Sequence, residues 1–419
     1  MKNLHFNNNL LIGIVLITFI IAYYISVSLI INGNLFKLSQ TPYYNYLLEA
    51  FSKNRLDLDP IHKGFDLSNF NGKWYMYWGL SPSLFILPFY LIWGIKSSDI
   101  LYTLIAGTVN IVLFFKIIET VDRYFHLNKS TFIKFFVLIN FAIASPNFYL
   151  SLAGRIWHTN QIIAATYLLL FLFFYFKYLK NIEKLKFLMI SLIFFNLSWL
   201  ARNTLLTYAI LLIYPLIIIF RTKEKRLFVK SAATIFLISL SAAIIFFTHN
   251  YLRFNNLLET GLTYQQSAAR FRESTGSSNF FSINNIPHNF YYYFINPLNF
   301  DSKSPFMKFE AEGNSVFLVY PILILLLWSL FKKRVIDIRL KYFLVTCLAL
   351  LTINLLPLML FFGTGWTQFG NRYFLDVIPI LFIVSTVYIT RLSPLLAIFL
   401  LTYGSVINFL GAINFYRHF

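Results

Sequence analysis

Residues 81–96 read SPSLFILPFYLIWGIK, an apolar run with prolines at positions 82 and 88 and a tryptophan near its end. A helix needs roughly 20 residues to cross a lipid bilayer, and this run is shorter. The direction in which every later helix crosses depends on whether this run crosses too. Its placement therefore decides the topology of the chain.

The composition shows that the chain as a whole is also strongly apolar. The 419 residues are 58% hydrophobic, 20% aromatic and 12% charged, and the mean hydropathy is +0.66. A water-soluble domain of this size would have too little polar surface to face water. We therefore predict an all-α polytopic membrane protein, in which the first run is a helix and not a cleaved signal peptide, because no small-residue cleavage site follows it. The apolar runs are 10–31, 81–96, 100–118, 133–150, 160–179, 187–203, 204–220, 230–248, 315–331, 341–361, 375–390 and 394–412.

The net charge of +19 is concentrated in short links between these runs. The links 177–186, 221–230 and 332–341 are rich in lysine and arginine, as is typical of cytoplasmic loops. The charge thus orients the chain, with its N-terminus in the cytoplasm, and we predict no nucleic-acid partner. The single cysteine, Cys347, says nothing about the compartment.

One further basic link, 119–132, fits the same orientation only if an earlier run does not cross. The short, proline-containing run 81–96 is the best candidate. We predict that it is a juxtamembrane or re-entrant helix, that the first outer loop spans 32–99, and that about eleven helices cross the membrane.

The predicted outer loops contain the candidate site residues. Arginine there is disfavoured by the orientation rule, and arginine pairs well with phosphate, so we expect an anionic ligand such as a lipid phosphate or pyrophosphate. For each residue singly the alternative is a snorkelling arginine or an interfacial aromatic belt. The candidates are Glu49, Asp57, Asp59, His62, Asp66, Lys73 and Tyr75 in the first loop, and Arg155, His158, Arg202, Arg253, Glu259, Trp366, Gln368, Arg372 and Asp376 later in the chain.

Acids and arginines in one compartment suit one type of reaction. Transfer of a sugar from a phospholipid carrier needs a base for the acceptor hydroxyl and cations for the departing phosphate.

Several local patterns resemble the GT-C superfamily of integral-membrane glycosyltransferases, which includes protein O-mannosyltransferases, the aminoarabinose transferase of lipid A and the oligosaccharyltransferase catalytic subunit. The patterns are YYNYLLEAFSKNRLDLD (43–59), FDLSNFNGKWYMYWGLSPSLFILPFY (65–90), SLAGRIWHTNQ (151–161), NYLRFNNLLETGLTY (250–264) and GWTQFGNRYFLDVIPIL (365–381). The resemblance implies a catalytic helical module over 1–248, a large extracytoplasmic loop over 249–314 and C-terminal helices over 315–419. It also implies inverting transfer of a hexose or pentose from a polyprenyl-phosphate donor to a lipid or glycan acceptor, at the outer face of the cytoplasmic (inner) membrane.

The chain departs from this family at the acid that follows the first helix. Many members carry an acidic pair there, whereas here no acid precedes Glu49. We favour Asp66 as the base, then Asp57 and Asp59, then Glu49; the alternative for Asp66 is a turn former or helix N-cap. His158 replaces the second-loop acid of several relatives, so we predict no metal, and we predict no cofactor. Substrate contacts are expected from Lys73, Tyr75, Arg155, His158, Arg202, Arg253, Glu259, Trp366, Gln368 and Arg372.

Two other functions fit a polytopic chain with a large outer loop. One is an O-antigen-type polymerase, and the other is a transporter or flippase of lipid-linked glycans that performs no chemistry. Transporters usually show repeated halves and charges at mid-membrane. The chain shows no internal repeat and few charges within its apolar runs, which favours chemistry at the membrane surface.

Overall fold

The computed structural model describes residues 8–59, 66–265, 280–331, 337–365 and 367–418. Within these ranges the chain is almost wholly helical. The α-helices are α1 (Asn8–Asn32), α2 (Tyr43–Ser52), α3 (Pro82–Trp93), α4 (Asp99–Tyr124), α5 (Thr131–Ile143), α6 (Pro146–Ser151), α7 (Ile156–Lys180), α8 (Leu185–Ala201), α9 (Ile213–Arg221), α10 (Lys225–Phe254), α11 (Ile286–Phe290), α12 (Val316–Val319), α13 (Ile322–Leu330), α14 (Ile338–Leu360), α15 (Ile378–Tyr388) and α16 (Pro394–His418). Shorter 3₁₀ segments cover Gly94–Lys96, Asn203–Leu212, Leu262–Tyr264, Ile283–Asn285 and Arg372–Asp376, and a π-helical turn covers Tyr291–Ile295.

The predicted all-α polytopic architecture is confirmed. Among the described residues, 7 helical segments are long and apolar enough to cross a membrane. Shorter apolar helices account for the predicted runs 81–96, 133–150, 187–203 and 375–390, and a break between α12 and α13 divides the run 315–331. The single sheet in the described ranges is a hairpin of β1 (Ser68–Phe70) and β2 (Lys73–Tyr75), which pairs Asn69 with Trp74 and lies in the predicted first outer loop.

The long segments run between two ends of the bundle. At the end that we call the basic end, the Tyr124 hydroxyl lies 3.3 Å from that of Tyr214 and the Tyr178 hydroxyl lies 2.9 Å from that of Ser231. This end holds the links after α4, α7 and α9. The other end, which we call the site end, holds the segment 152–155 and the described parts of the loops 33–98, 255–315 and 361–371. Eleven described segments run from one end to the other: 8–32, 99–124, 131–151, 156–180, 185–201, 203–221, 225–254, 316–330, 338–360, 372–388 and 394–418.

Helix α3 does not run between the two ends, in agreement with the prediction for 81–96. Its 12 residues span only about 18 Å. Its N-terminal side is fixed by the Ser81 hydroxyl, which donates to Leu197 O at 2.6 Å, and its C-terminal side by Ser97 O, which accepts from Asn45 at 2.7 Å. Leu91 and Ile92 are 75% and 69% exposed, so α3 presents an apolar face outward as a juxtamembrane helix does.

Two glycines allow the site-end loops to pack closely on the helices. A Cβ on Gly79 would lie 1.9 Å from Leu200 O, and one on Gly154 would lie 2.3 Å from the carbonyl carbon of Asp99. Neither position has room for a side chain. Gly79 thus brings the loop after β2 against the end of α8, where these elements border the cavity described in the next section.

Candidate active site at one end of the bundle

A cavity of about 250 Å³ opens at the site end. Its walls come from the loop after β2, the end of α8, the last turns of α10 and the region around 357–373. One wall is apolar and includes Leu200, Phe246 and Leu358. The polar lining consists of Tyr77, Trp78, Asn160, Arg202, Asn203, Thr204, His249, Asn250, Arg253, Thr260 and Tyr373.

Arg202 is held in this cavity by a buried carboxylate. Its Nε donates to both oxygens of Asp376 at 2.7 Å, and the Thr204 hydroxyl donates to the same carboxylate at 2.5 Å. The Tyr208 hydroxyl donates to the Asp376 backbone oxygen at 2.7 Å. In the part of the chain that the structure describes, the two terminal amino groups of Arg202 have no hydrogen-bond acceptor. Asp376 is therefore a positioning residue, and Arg202 keeps donors for a ligand.

Arg202 and a second arginine, Arg372, both lie beside the ring of Tyr373. The guanidinium carbon of Arg202 is 5.0 Å from the centre of the Tyr373 ring, and that of Arg372 is 5.3 Å from it. Arg372 donates to Gly365 O at 2.5 Å, while its buried Nε has no acceptor among the described residues. Its guanidinium also lies 6.0 Å from the ring of Trp157. Arg202 and Tyr373 line the cavity, and Arg372 lies beside it at the same ring, so an anion near Tyr373 would be favoured by two cations.

Asp66 joins this cluster through Gln265. Asp66 Oδ1 accepts from Gln265 Nε2 at 2.9 Å, and Gln265 also bonds Tyr77. Burial raises the pKa of Tyr77 well above its usual value, and the charge of Asp66 raises it further, so the phenol stays protonated and can donate. Asp66 has a φ of 68° and precedes β1. The helix N-cap alternative is therefore wrong, and the residue takes a left-handed backbone conformation that aspartate tolerates in turns.

The other three candidate bases lie elsewhere. Glu49 pairs with Lys53 at 2.7 Å and Asp59 with Arg55 at 3.9 Å, and these four residues line a separate cleft. Asp57 lies 3.9 Å from Lys73, which is largely exposed. Among the predicted acids, the structure brings Asp66 to the Tyr77 side of the cavity and leaves the others at the surface with local partners.

Arg253 lines the cavity, but its guanidinium is already engaged. Its three nitrogens donate to His249 O at 3.3 Å, Met76 O at 2.5 Å and Asn250 Oδ1 at 2.9 Å. These bonds tie the loop after β2 to α10. Arg253 therefore helps to build the cavity wall, and the expected ligand contact stays a prediction.

Three further predicted contacts also have structural roles. Glu259 accepts from the Gly261 N–H at 2.6 Å within its own turn. Gln368 is buried, donates to Thr364 O at 3.0 Å and accepts from the Arg372 N–H at 3.1 Å, so it shapes its loop. Tyr75 packs edge-on against Phe254, with ring centres 5.3 Å apart, and does not line the cavity.

Arg155 and His158 lie next to the cluster at the start of α7. His158 is fully buried, and its Nδ1 lies 3.2 Å from the Tyr416 hydroxyl. Arg155 lies 5.6 Å from the centre of the Phe415 ring and 5.8 Å from that of Tyr416. His158 is thus part of the packing beneath the site, and Arg155 faces a second cavity described below. Trp366 and His62 lie outside the described residues.

Several cavity residues escaped the sequence reasoning. Asn203 and Thr204 follow Arg202 directly, and polar residues in an otherwise apolar run were the available signal. His249 and Asn250 carry the same signal at the end of α10. Tyr373 carried none, because tyrosine is common throughout the chain.

The described residues contain no group of three or more His, Cys, Asp or Glu side chains arranged to hold a metal ion.

The fold and the cavity define the class: a multi-pass helical membrane protein with a cationic cavity at one end of its bundle. No protein-family model matches the chain, and no curated protein matches it. Among solved structures, it is similar to the apo oligosaccharyltransferase of Archaeoglobus fulgidus, with a TM-score of 0.47 and 13% identity over 95% of this chain and 56% of that one. That enzyme is of the GT-C class that the sequence patterns resemble. The chain spans about half of the length of that enzyme, and a likeness of this strength identifies neither a family nor an activity.

Proposed function

We propose that this protein is a glycosyltransferase that moves a sugar from a polyprenyl-phosphate donor to an acceptor hydroxyl, with inversion at the anomeric carbon. The observation that carries the proposal is a cavity lined by Arg202, Tyr77 and Tyr373. Arg372 lies beside it at the Tyr373 ring, and Asp66 is linked to Tyr77 through Gln265. Cations and a carboxylate are the two kinds of group that this reaction needs.

In this proposal the donor phosphate lies against the arginine side of the cavity. Arg202 and Arg372 have guanidinium nitrogens without protein acceptors in the described ranges, and both are kept in place by other contacts. As the bond between sugar and phosphate breaks, negative charge grows on the phosphate oxygens. Donors already oriented toward those oxygens stabilise that charge most. The Tyr77 phenol would donate a further hydrogen bond.

Asp66 is the proposed base. The acceptor oxygen forms a bond to the anomeric carbon on the face opposite the phosphate, and its proton passes to the Asp66 carboxylate. The phosphate leaves with the electron pair of the broken bond, as polyprenyl phosphate. The hydrogen bond from Gln265 to Asp66 Oδ1 orients the carboxylate beside Tyr77.

The site end is proposed to face outward from the cytoplasmic membrane. The links at the opposite end carry most of the basic residues between helices, and such links are retained in the cytoplasm. Sugar transfer would then occur on the outer surface, where polyprenyl-linked sugars meet their lipid or glycan acceptors.

The test is release of polyprenyl phosphate by the purified protein from a panel of polyprenyl-phosphate sugars. We expect release by the wild type, loss of at least about 100-fold in Asp66→Asn, as for removal of a general base, and full release in Glu49→Gln as the matched acid control. Release unchanged in Asp66→Asn would exclude Asp66 as the base. A flippase would move the lipid across vesicles without releasing polyprenyl phosphate from any donor.

A further inference from the structure

A second cavity, of about 290 Å³, is bordered by Trp157 and shares no lining residue with the first. It is enclosed by the last turn of α1, the loop 37–41, the turn before α7 and the end of α16. Its lining includes Asn32, Lys37, Gln40 and Arg155. None of the proposed chemistry uses it.

The walls of this cavity are built and held by hydrogen bonds. Ser39 Oγ lies 2.7 Å from Gly154 O, and Thr41 Oγ1 accepts from the Ile156 N–H at 3.1 Å. Asn32 Nδ2 donates to Leu152 O at 2.7 Å. The loop is therefore joined to the turn before α7, and the cavity is preformed.

The charge around this cavity is positive. Lys37 and Arg155 line it, and no aspartate or glutamate is among its lining residues in the described part of the chain. Asp99 lies behind the lining residue Ser39. Its two carboxylate oxygens accept from Ser39, one from the N–H at 2.8 Å and one from the hydroxyl, so Ser39 stands between this acid and the cavity.

The rim of the cavity is apolar on the α1 side. Leu29 and Ile30 are 42% and 67% exposed on the last turn of α1, and Phe36 is 71% exposed beside Lys37. Cations next to exposed apolar side chains at a membrane surface suit an anionic headgroup whose chains lie along the helix.

We propose that the cavity between the end of α1 and the turn before α7 binds a phosphate group, carried on a lipid, through Lys37 and Arg155. Arg155 is held over Phe415 and Tyr416, so its position is set before the ligand arrives. Trp157 borders this cavity, and its ring centre lies 6.0 Å from the guanidinium of Arg372, which lies beside the first cavity. If the first cavity holds the sugar donor, as proposed above, the second is placed for an acidic acceptor lipid.

The test is binding of dioleoyl phosphatidic acid to the full chain in detergent, followed by native mass spectrometry. Dioleoyl phosphatidylcholine, with identical chains and no net charge, is the lipid control. We expect Lys37→Gln to weaken the binding of phosphatidic acid at least about tenfold, which is the size of one charge-assisted hydrogen bond. Arg155→Gln should weaken this binding as much. Lys303→Gln, at an exposed loop position, is the matched charge control and should bind like the wild type.

A competition with glycerol 3-phosphate separates the two sources of a phosphate group. If glycerol 3-phosphate does not displace the lipid, a lipid ligand is supported. If it displaces the lipid at a concentration similar to that of the lipid, the free anion suffices, and the proposal that the phosphate group is carried on a lipid is overturned. Wild-type binding in Lys37→Gln overturns the site, and so does an equal loss in Lys303→Gln. Lys37 is exposed, so its variant should fold even if the Arg155 variant does not. No sugar donor enters this assay, so its outcome is independent of glycosyl transfer.

Discussion

The buried pair between Arg202 and Asp376 offers the sharpest test of the proposed site. The two side chains are 15% and 3% exposed and meet at 2.7 Å. Removing one partner of a buried ion pair typically costs about 3–5 kcal/mol, because the other charge remains without compensation. Asparagine at position 376 keeps one acceptor oxygen for Arg202, so we expect Asp376→Asn to destabilise by ~3 kcal/mol, at the lower end of that range.

The measurement is a double-mutant cycle on the free energy of unfolding in detergent, with Asp376→Asn, Arg202→Gln and the double variant. Two contacting charges should give a coupling energy of about 2 kcal/mol, with the double variant less destabilised than the sum of the single ones. The exposed loop variant Asp301→Asn should stay within about 0.5 kcal/mol of the wild type. Single effects that add within about 0.5 kcal/mol would show that the pair does not hold Arg202, and would refute this account of the cavity wall.

Three further predictions concern other parts of the bundle. Lys129→Gln removes an ammonium group that donates at 2.7 Å to two carbonyl oxygens at the end of α15. Thermal unfolding should show a free energy of unfolding lower by about 1–3 kcal/mol, while polyprenyl-phosphate release per folded molecule is unchanged. Unchanged stability would contradict this role of Lys129. Gly79→Ala places a Cβ 1.9 Å from Leu200 O, so binding of the sugar donor should fall; donor binding equal to that of the wild type would argue against close packing at Gly79. Tyr77→Phe keeps the ring and removes the hydroxyl that donates a hydrogen bond. The kcat should therefore fall by about tenfold while the KM for the polyprenyl-phosphate sugar changes little, and a wild-type kcat would show that Tyr77 takes no part in the reaction.

The sequence was sufficient for the helical framework because apolar length and charge in short links are local properties. The run 81–96 illustrates this: its length and two prolines predicted that it would not cross, and α3 begins and ends at the site end. The hairpin of β1 and β2 was not predicted, since three-residue strands leave no clear alternation. Breaks within runs, such as the one between α12 and α13, also lie below the resolution of a hydropathy pattern.

The choice among the predicted acids required tertiary structure. Sequence places Asp57, Asp59 and Asp66 within ten positions of one another in a single loop, with similar neighbours. Their difference lies in partners that are distant along the chain: Asp66 bonds Gln265, 199 positions away, whereas Asp59 has a partner four residues before it. No local pattern encodes such a long-range contact.

The arginines illustrate why position alone does not define a ligand site. Arg202, Arg253 and Arg372 all lie at or beside the first cavity, and no local pattern in the sequence distinguishes them. What separates them is the use of their nitrogens: Arg253 donates from all three to protein oxygens, whereas Arg202 uses only Nε, and Arg372 has a buried Nε with no acceptor in the described ranges. A guanidinium with all three nitrogens engaged by protein oxygens holds the fold together, and one with an unengaged nitrogen has more to gain from an anion. By this criterion Arg202 and Arg372 are the arginines that we propose as phosphate ligands, and Arg253→Lys should lower the stability before it lowers the affinity for the sugar donor.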